Sequence, residues 1–233
     1  NPETAKRDQR ALGLLAESTG LTEDTVRAST IITEVSRTDR TKRKDLLIEA
    51  FAQLHRTYPD TLLAVTIDPQ AGELSRELKA LISERGLSGR VATLGSVSEY
   101  LPSLYGMSAI YCTPSIMEGF GMSIQEAAAC GVPAVASDRV PFAVEYLAGQ
   151  TAKTESRREG TITIGRGAII VPHDSVSATV EALELLLADE ELRNRMGRAA
   201  HQITIPRFTW QRVAAEFLAE VGIETPERRE NGG

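Results

Sequence analysis

Two short stretches of this chain carry residue types that could handle a phosphorylated ligand. The first is Val35-Ser36-Arg37-Thr38-Asp39-Arg40-Thr41-Lys42, set between a β-branched apolar run and a helical one, the position of a strand-to-helix loop. Arg37 could grip a phosphate through two parallel N–H bonds, and Lys42 would add a movable point charge. The same composition also suits a solvated basic loop. The second stretch is Glu118-Gly119-Phe120-Gly121-Met122-Ser123-Ile124-Gln125-Glu126. Gly119 and Gly121 let backbone amides approach a ligand closely. The free N–H groups and dipole of the helix that follows favour a phosphate. Glu118 and Glu126 are carboxylates, each able to accept two hydrogen bonds from neighbouring hydroxyls of a sugar or ribose. Ser123 and Glu126 also have the spacing of a capping box, in which the glutamate only satisfies an amide at the helix start.

Other chemistries lack their residues. No Gly-x-Ser-x-Gly elbow, no Gly-x-Gly-x-x-Gly after the first strand, no phosphate-binding Gly-Lys-Ser/Thr and no Asp-x-Asp occurs. His55, His173 and His201 are far apart, and Cys112 and Cys130 form no CxxC or CxxH spacing, so no metal site is expected. The two cysteines read as reduced, partly buried thiols of a cytoplasmic protein. Met107, Met117, Met122 and Met196 are scattered and read as packing residues. Trp210 shares an amphipathic stretch with Phe208, Val213 and Phe217 and is assigned to the core.

The elements that must position the two stretches follow from periodicity. Strands are expected at Thr30 to Val35, Thr61 to Ile67, Arg90 to Leu94, Ala109 to Thr113, Pro133 to Ala136 and Ala168 to Val171. Helices are expected at 42–58, 73–85, 99–105, 123–130, 141–147, 176–187, 190–201 and 207–221. Strand and helix alternate, so the fold class is α/β: a parallel sheet in three layers, Rossmann-like, with helices on both faces and ligands at the carboxyl ends of the strands. Residues 148–167 interrupt the alternation as an inserted loop or hairpin. Residues 1–28 read as a linker with a short helix, 29–223 as one Rossmann-like domain and 224–233 as a polar tail. The start at Asn1 and the polar end read as those of an excised or processed piece.

With 233 residues, 42% of them hydrophobic, the chain can bury a real core, and a net charge of −6 disfavours a nucleic-acid partner. No apolar run approaches the ~20 residues that span a bilayer.

These segments together resemble the carboxyl-terminal domain of family 4 retaining glycosyltransferases of the GT-B fold. The resemblance rests on VSRTDRTKRKDLLIEAFAQL, VATLGSVSEYLPSLYGMSAIYCTPS, EGFGMSIQEAAACGVPAVAS, GAIIVPHDS and FTWQRVAAEFL, and covers about Thr30 to Val221. The Ser-Arg-x-Asp form is similar to sucrose-phosphate synthase and related synthases. The resemblance implies that Arg37 and Lys42 hold the donor diphosphate as catalytic electrostatics, and that Glu118 contacts the transferred sugar near the reacting centre. It further implies that amides of Gly119, Phe120, Gly121, Met122 and Ser123 hold sugar hydroxyls and phosphate, that Glu126 binds the ribose, and that the loop from Gly95 to Ser98, at Val97, receives the base. Arg43 departs from the pattern, standing where many relatives have glycine. The family transfers a hexose from a nucleotide diphosphate sugar with retention and without a metal or other cofactor. A second, amino-terminal domain, for which this chain has no room, would hold the acceptor, and the Phe208 to Val221 helix would pack toward it. The alternatives are a non-catalytic nucleotide-binding module of the same fold, and a relative that hydrolyses or epimerises nucleotide sugars.

Overall fold

The computed structural model describes residues 9–157, 160–205 and 207–221. The first strand, β1 (Thr30–Glu34), is apolar on both sides: Ile31 packs with one helical layer and Ile32 with the other. β2 (Thr61–Thr66) repeats the pattern with Leu62 and Leu63, and β3 (Val91–Leu94) with Ala92 and Val91. Side chains alternate faces with a period of two, so a strand buried on both faces must be a continuous apolar run. β4 (Ile110–Thr113), β5 (Ala134–Ser137) and β8 (Ala168–Val171) complete a parallel set in the order β3-β2-β1-β4-β5-β8.

The stretch expected to be a loop or hairpin is a hairpin. Its strands β6 (Lys153–Arg157) and β7 (Gly160–Ile164) extend the sheet antiparallel through β7 on β8, so the sheet is mixed. Gly165 is required at its base: an added Cβ would lie 2.2 Å from Ala148 Cα.

One face of the sheet is covered by α3 (Lys44–Thr57), α4 (Glu73–Glu84) and α7 (Val176–Ala188), which bury Leu47, Phe51, Leu78, Ala182 and Leu186. The other carries α1 (Gln9–Thr19), α2 (Glu23–Ala28), α5 (Leu101–Met107), α6 (Met122–Ala129) and a π-helical turn at Ala143–Ala148. α8 (Glu190–Thr204) closes against the end of α6. That approach needs Gly197, where a Cβ would fall 2.3 Å from the Gly131 carbonyl. Each fully buried Leu, Ile or Phe contributes about 1.5–3 kcal/mol.

Two expectations are corrected here. The segment before β1, expected as a linker with one short helix, forms two helices within residues 9–28, and they belong to the core. Ala11, Leu12 and Leu15 of α1 and Val26 of α2 are fully buried against Ile31, Leu62 and Ala92, because the outer face of β1 to β3 needs a cover. Trp210 is not core. It opens α9 (Trp210–Glu220), a helix with no buried residue, and is 82% exposed; Phe217 on the same face is 63% exposed. The amphipathic spacing was real, but nothing among the described residues packs on that face.

The helix expected from Lys42 begins two residues later. A 3₁₀ turn spans Arg40–Lys42, and Arg43 then adopts φ 49°, ψ 43°, the left-handed region. Left-handed backbone strains a side-chain-bearing residue by roughly 1–2 kcal/mol. Arg43→Gly is therefore expected to raise stability by about 0.5–1 kcal/mol once the greater freedom of unfolded glycine is subtracted. Arg43→Val, β-branched in a left-handed position, should lower it by about 1 kcal/mol or more. Urea unfolding of both variants with an unchanged slope checks this; equal midpoints for the two would contradict it.

Candidate functional site

The order of the parallel strands reverses between β1 and β4, so the loops leaving them diverge and open a crevice at their carboxyl ends. Both stretches singled out above lie there. The β1 loop runs from Val35 to Arg43, and the β4 loop from Pro114 to Gly121, the N-cap of α6. They are joined by a backbone bond from the Ile116 N–H to the Thr41 carbonyl, 2.8 Å.

Lys42 and Glu118 meet at this junction. Lys42 Nζ lies 2.6 Å from Glu118 Oε1, with side chains 9% and 18% exposed. The ammonium also donates to the Met117 carbonyl at 3.4 Å, and Ser115 Oγ donates to Glu118 Oε1 at 3.1 Å. Ser115 is fixed in turn by the Ser137 hydroxyl, which bonds its carbonyl from the end of β5. The carboxylate therefore stands at a set place on the crevice wall, with a nearly buried counter-ion.

Behind it, α6 starts at Gly121 with no side-chain cap. The expected capping box is absent. The N-cap is Gly121, so Ser123 is the second helical residue and Glu126 the fifth, two positions past those a capping box requires. The Met122, Ser123 and Ile124 amides thus end the helix without intrahelical acceptors, and the dipole adds partial positive charge at the same place. Gly121 has φ 103°, and a Cβ would sit 3.0 Å from both Ile124 Cγ2 and Val140 Cγ1. Gly119 is exposed with nothing within 4 Å of its would-be Cβ. Met122 is 55% exposed.

Glu126 is exposed on α6, beside the Tyr105 phenol of α5. Partial burial raises its carboxyl above the ordinary range. Burial first, and the nearby Glu126 charge second, push the Tyr105 phenol well up. Across from it, Tyr111 Oη donates to the Val35 carbonyl at 3.0 Å, which ties the floor under the β1 loop to β4.

Arg37 lies apart from the Lys42–Glu118 pair. It is exposed and lines a cavity of about 670 Å³ with Ser36, Thr38, Asp68, Gly95, Ser96 and Ser98. Arg37 and Lys42 both act on Asp39, whose carboxyl is held low first by hydrogen bonds from Thr41 and then by these charges. Asp39 itself caps the 3₁₀ turn by accepting from the Thr41 N–H at 2.8 Å.

Two residues turn their side chains away from the crevice. Val97 is 5% exposed and packs with Leu94 and Leu104, at the edge of the cavity that Arg37 lines. Phe120 points into an aromatic group with Phe142, Tyr146 and Phe208, at centroid distances of 5.4, 6.1 and 5.9 Å. Arg207 lies over the Tyr146 ring at 4.8 Å. The Phe120 carbonyl accepts from the Phe142 N–H at 2.9 Å. The group anchors the glycine loop, and periodicity could not show it because its members come from three segments distant in the chain.

A cavity of about 820 Å³ opens at the opposite, amino-terminal edge of the strands, bordered by Thr30, Ala109 and Pro133. Neither glycine-rich nor basic loop reaches it. Among the described residues no group of three or more His, Cys, Asp or Glu could hold a metal ion, and no helix is long and apolar enough to cross a membrane.

Comparison with known proteins bears on the same region. The chain is 29% identical over 199 residues to the GDP-mannose-dependent alpha-(1-6)-phosphatidylinositol monomannoside mannosyltransferase of Mycolicibacterium smegmatis, covering 82% of the chain and 47% of that protein. It is 33% identical over 186 residues to the D-inositol 3-phosphate glycosyltransferase of an Arthrobacter species, covering 78% of the chain and 40% of the relative. The chain thus spans about half the length of the curated relatives it matches. Among solved structures, sucrose-phosphate synthase from Thermosynechococcus elongatus superposes with a TM-score of 0.70 at 25% identity, over 91% of this chain and 50% of that one. The C-terminal domain of a glycosyl transferase group 1 family protein from Francisella tularensis superposes with a TM-score of 0.67 at 19% identity, over 91% of this chain and 99% of that one. The sequence pattern of the family described as glycosyl transferases group 1 matches residues 25–203, a span that holds β1 through α8 and both crevice loops. The chain belongs to that family.

Proposed function

We propose that this chain binds the nucleotide diphosphate sugar donor of a retaining hexosyltransferase, with the acceptor held by an amino-terminal domain of the same protein across the crevice. The observation that carries the reading is the meeting of Lys42, Glu118 and the uncapped start of α6 at the strand-order reversal. A diphosphate needs cations and N–H donors. Lys42 and the Met122 to Ile124 amides offer both at the crevice wall, Arg37 adds a second cation at the cavity next to Gly95 to Ser98, and Glu126, exposed on α6, is assigned to the ribose hydroxyls. The name of the mycolicibacterial relative, with GDP-mannose as its donor, fits this class of ligand.

In the reaction the bond between the anomeric carbon and the diphosphate oxygen breaks, and the acceptor oxygen bonds that carbon on the face the diphosphate leaves. The acceptor proton passes to the departing phosphate oxygen. Negative charge grows on the diphosphate as the bond lengthens, and fixed positive groups that need no rearrangement stabilise that charge most. Lys42 and the α6 amides act there. Glu118 accepts from a sugar hydroxyl and offsets positive charge developing at the anomeric carbon. No metal is required in this scheme.

Calorimetric titration with UDP, GDP and ADP, without metal, tests it. One of the three should bind, and Arg37→Ala should weaken that binding by about 1.5–3 kcal/mol, the contribution of a charged hydrogen bond. An Arg37→Ala variant that binds as tightly as the parent would remove Arg37 from the site.

A further inference from the structure

Beneath the β1 loop lies an ion pair that the chemistry above does not use. Lys44, the first residue of α3, is 1% exposed at its side chain, and Glu34, the last of β1, is 0% exposed. Lys44 Nζ donates to Glu34 Oε2 at 2.5 Å, to Thr66 Oγ1 at 3.1 Å and to the Ser36 carbonyl at 3.2 Å. All three ammonium protons are thus assigned. Thr66, at the end of β2, completes the arrangement. Its hydroxyl donates to the Ser36 carbonyl at 2.7 Å and accepts from the Ser36 N–H at 3.0 Å. Both backbone groups of Ser36, the residue before Arg37, are therefore held by a buried polar network.

A core built only for stability would not be made this way. Burial pulls the Lys44 ammonium below its ordinary range against the opposing Glu34 charge. Glu34 Oε1 is buried with no hydrogen-bond partner among the described residues. Apolar residues of similar volume commonly stabilise as well as a buried pair, or better. What the pair does that apolar residues cannot is bond a backbone carbonyl at a chosen point. That point is the turn where β1 ends and the anion-facing loop begins.

We propose that the buried Glu34–Lys44 pair, with Thr66, is a positioning device that holds the Ser36–Arg37 turn in the form that receives the donor diphosphate. This rests on the reading of the β1 loop as a diphosphate site. Glu34 and Lys44 do not line the cavity beside Arg37, and Thr66 reaches its wall with its hydroxyl bonded to Ser36; the three act through Ser36 on Arg37.

The test uses two variants in the full protein. Glu34→Leu/Lys44→Met replaces the pair by apolar residues. Thr66→Val keeps the pair and removes the hydroxyl from Ser36. Both should fold with unfolding midpoints close to the parent. Amide hydrogen exchange at Ser36, whose N–H bonds Thr66 Oγ1, should quicken at least about tenfold, as expected when protecting hydrogen bonds open. Affinity for the nucleoside diphosphate that the parent binds should fall about 5- to 20-fold. Adding Arg37→Ala to either variant should then cost less than it costs the parent, because a misplaced arginine has less to lose. If either variant folds and binds the diphosphate as tightly as the parent, or exchanges at Ser36 at the parent's rate, positioning by this network is overturned while the donor site stands. If the parent binds none of UDP, GDP and ADP, the donor reading itself falls, and the positioning role with it.

Discussion

Lys42→Ala is expected to lower sugar transfer by the whole protein about 10³-fold in kcat/KM, with the larger share in kcat. The reasoning starts from where the ammonium sits. It is 2.6 Å from Glu118, and both side chains are largely shielded from water, so its charge acts through a medium that screens it far less than bulk solvent. Under the proposed donor reading, its removal takes a fixed cation from the place where the leaving diphosphate gains charge. It also leaves the Glu118 carboxylate without its counter-ion at the crevice wall, where it would repel the donor. Ground-state binding of the nucleoside diphosphate should weaken as well, but less than transfer, since Arg37 and the α6 amides remain. Steady-state kinetics beside calorimetry reads both quantities. Transfer within about threefold of the parent would remove Lys42 from the electrostatic machinery.

Glu118→Gln is expected to behave in the opposite proportion. Transfer should fall about 10²- to 10³-fold, while affinity for the nucleoside diphosphate changes by less than about threefold. The carboxylate makes no contact that a diphosphate would want, and in the unliganded protein it competes for Lys42. Glutamine keeps the shape and one carbonyl acceptor, so Ser115 retains a partner, but the negative charge that the proposed reaction sets against the anomeric carbon is gone. That charge matters only as the sugar becomes electron-poor, so the loss belongs to the transition state. A variant that loses donor binding and transfer in equal measure would mean that Glu118 holds the ground state instead. Together the two substitutions separate a residue that stabilises the leaving group from one that stabilises the reacting carbon.

Much of this fold was legible in the chain alone, for a physical reason. A strand covered on both faces must be apolar at every position, and a helix laid on it must be apolar every three to four residues. Ile31-Ile32, Leu62-Leu63 and the Leu47, Phe51, Leu54 stripe state those requirements directly. The two loops could be picked out because glycine, arginine and lysine between such runs are unusual in type. One further signal was present and passed over. Glu34 ends an otherwise uncharged strand, and Lys44 stands on the same helical stripe as Leu47, Ile48 and Phe51. Two opposite charges at positions that periodicity assigns to the interior point to a buried pair.

Local pattern failed where an outcome depended on a neighbour distant in sequence. Ser123-x-x-Glu126 has capping-box spacing, but the helix began at Met122 because the glycine loop turns at Gly121 between Ile124 and Val140. Trp210 and Phe217 have core spacing, but burial needs an opposing surface, and none of the described residues offers one. Phe120 has the look of a ligand-loop residue, yet Phe142, Tyr146 and Phe208 converge on its ring.

By itself the sequence determined the α/β alternation, the strands' double-sided burial and the residue types of the two crevice loops. These are properties of consecutive residues, and hydrophobic periodicity and backbone freedom act over a few positions. Only the tertiary structure decided that the strand order reverses between β1 and β4, that Lys42 faces Glu118 while Arg37 stands apart beside Gly95 to Ser98, and that Glu34 and Lys44 fasten Ser36 from below. Those placements are set by which strands pair and which loops then share a crevice, and neither the 76 positions between Lys42 and Glu118 nor the turn between Glu34 and Lys44 falls under a local periodic rule.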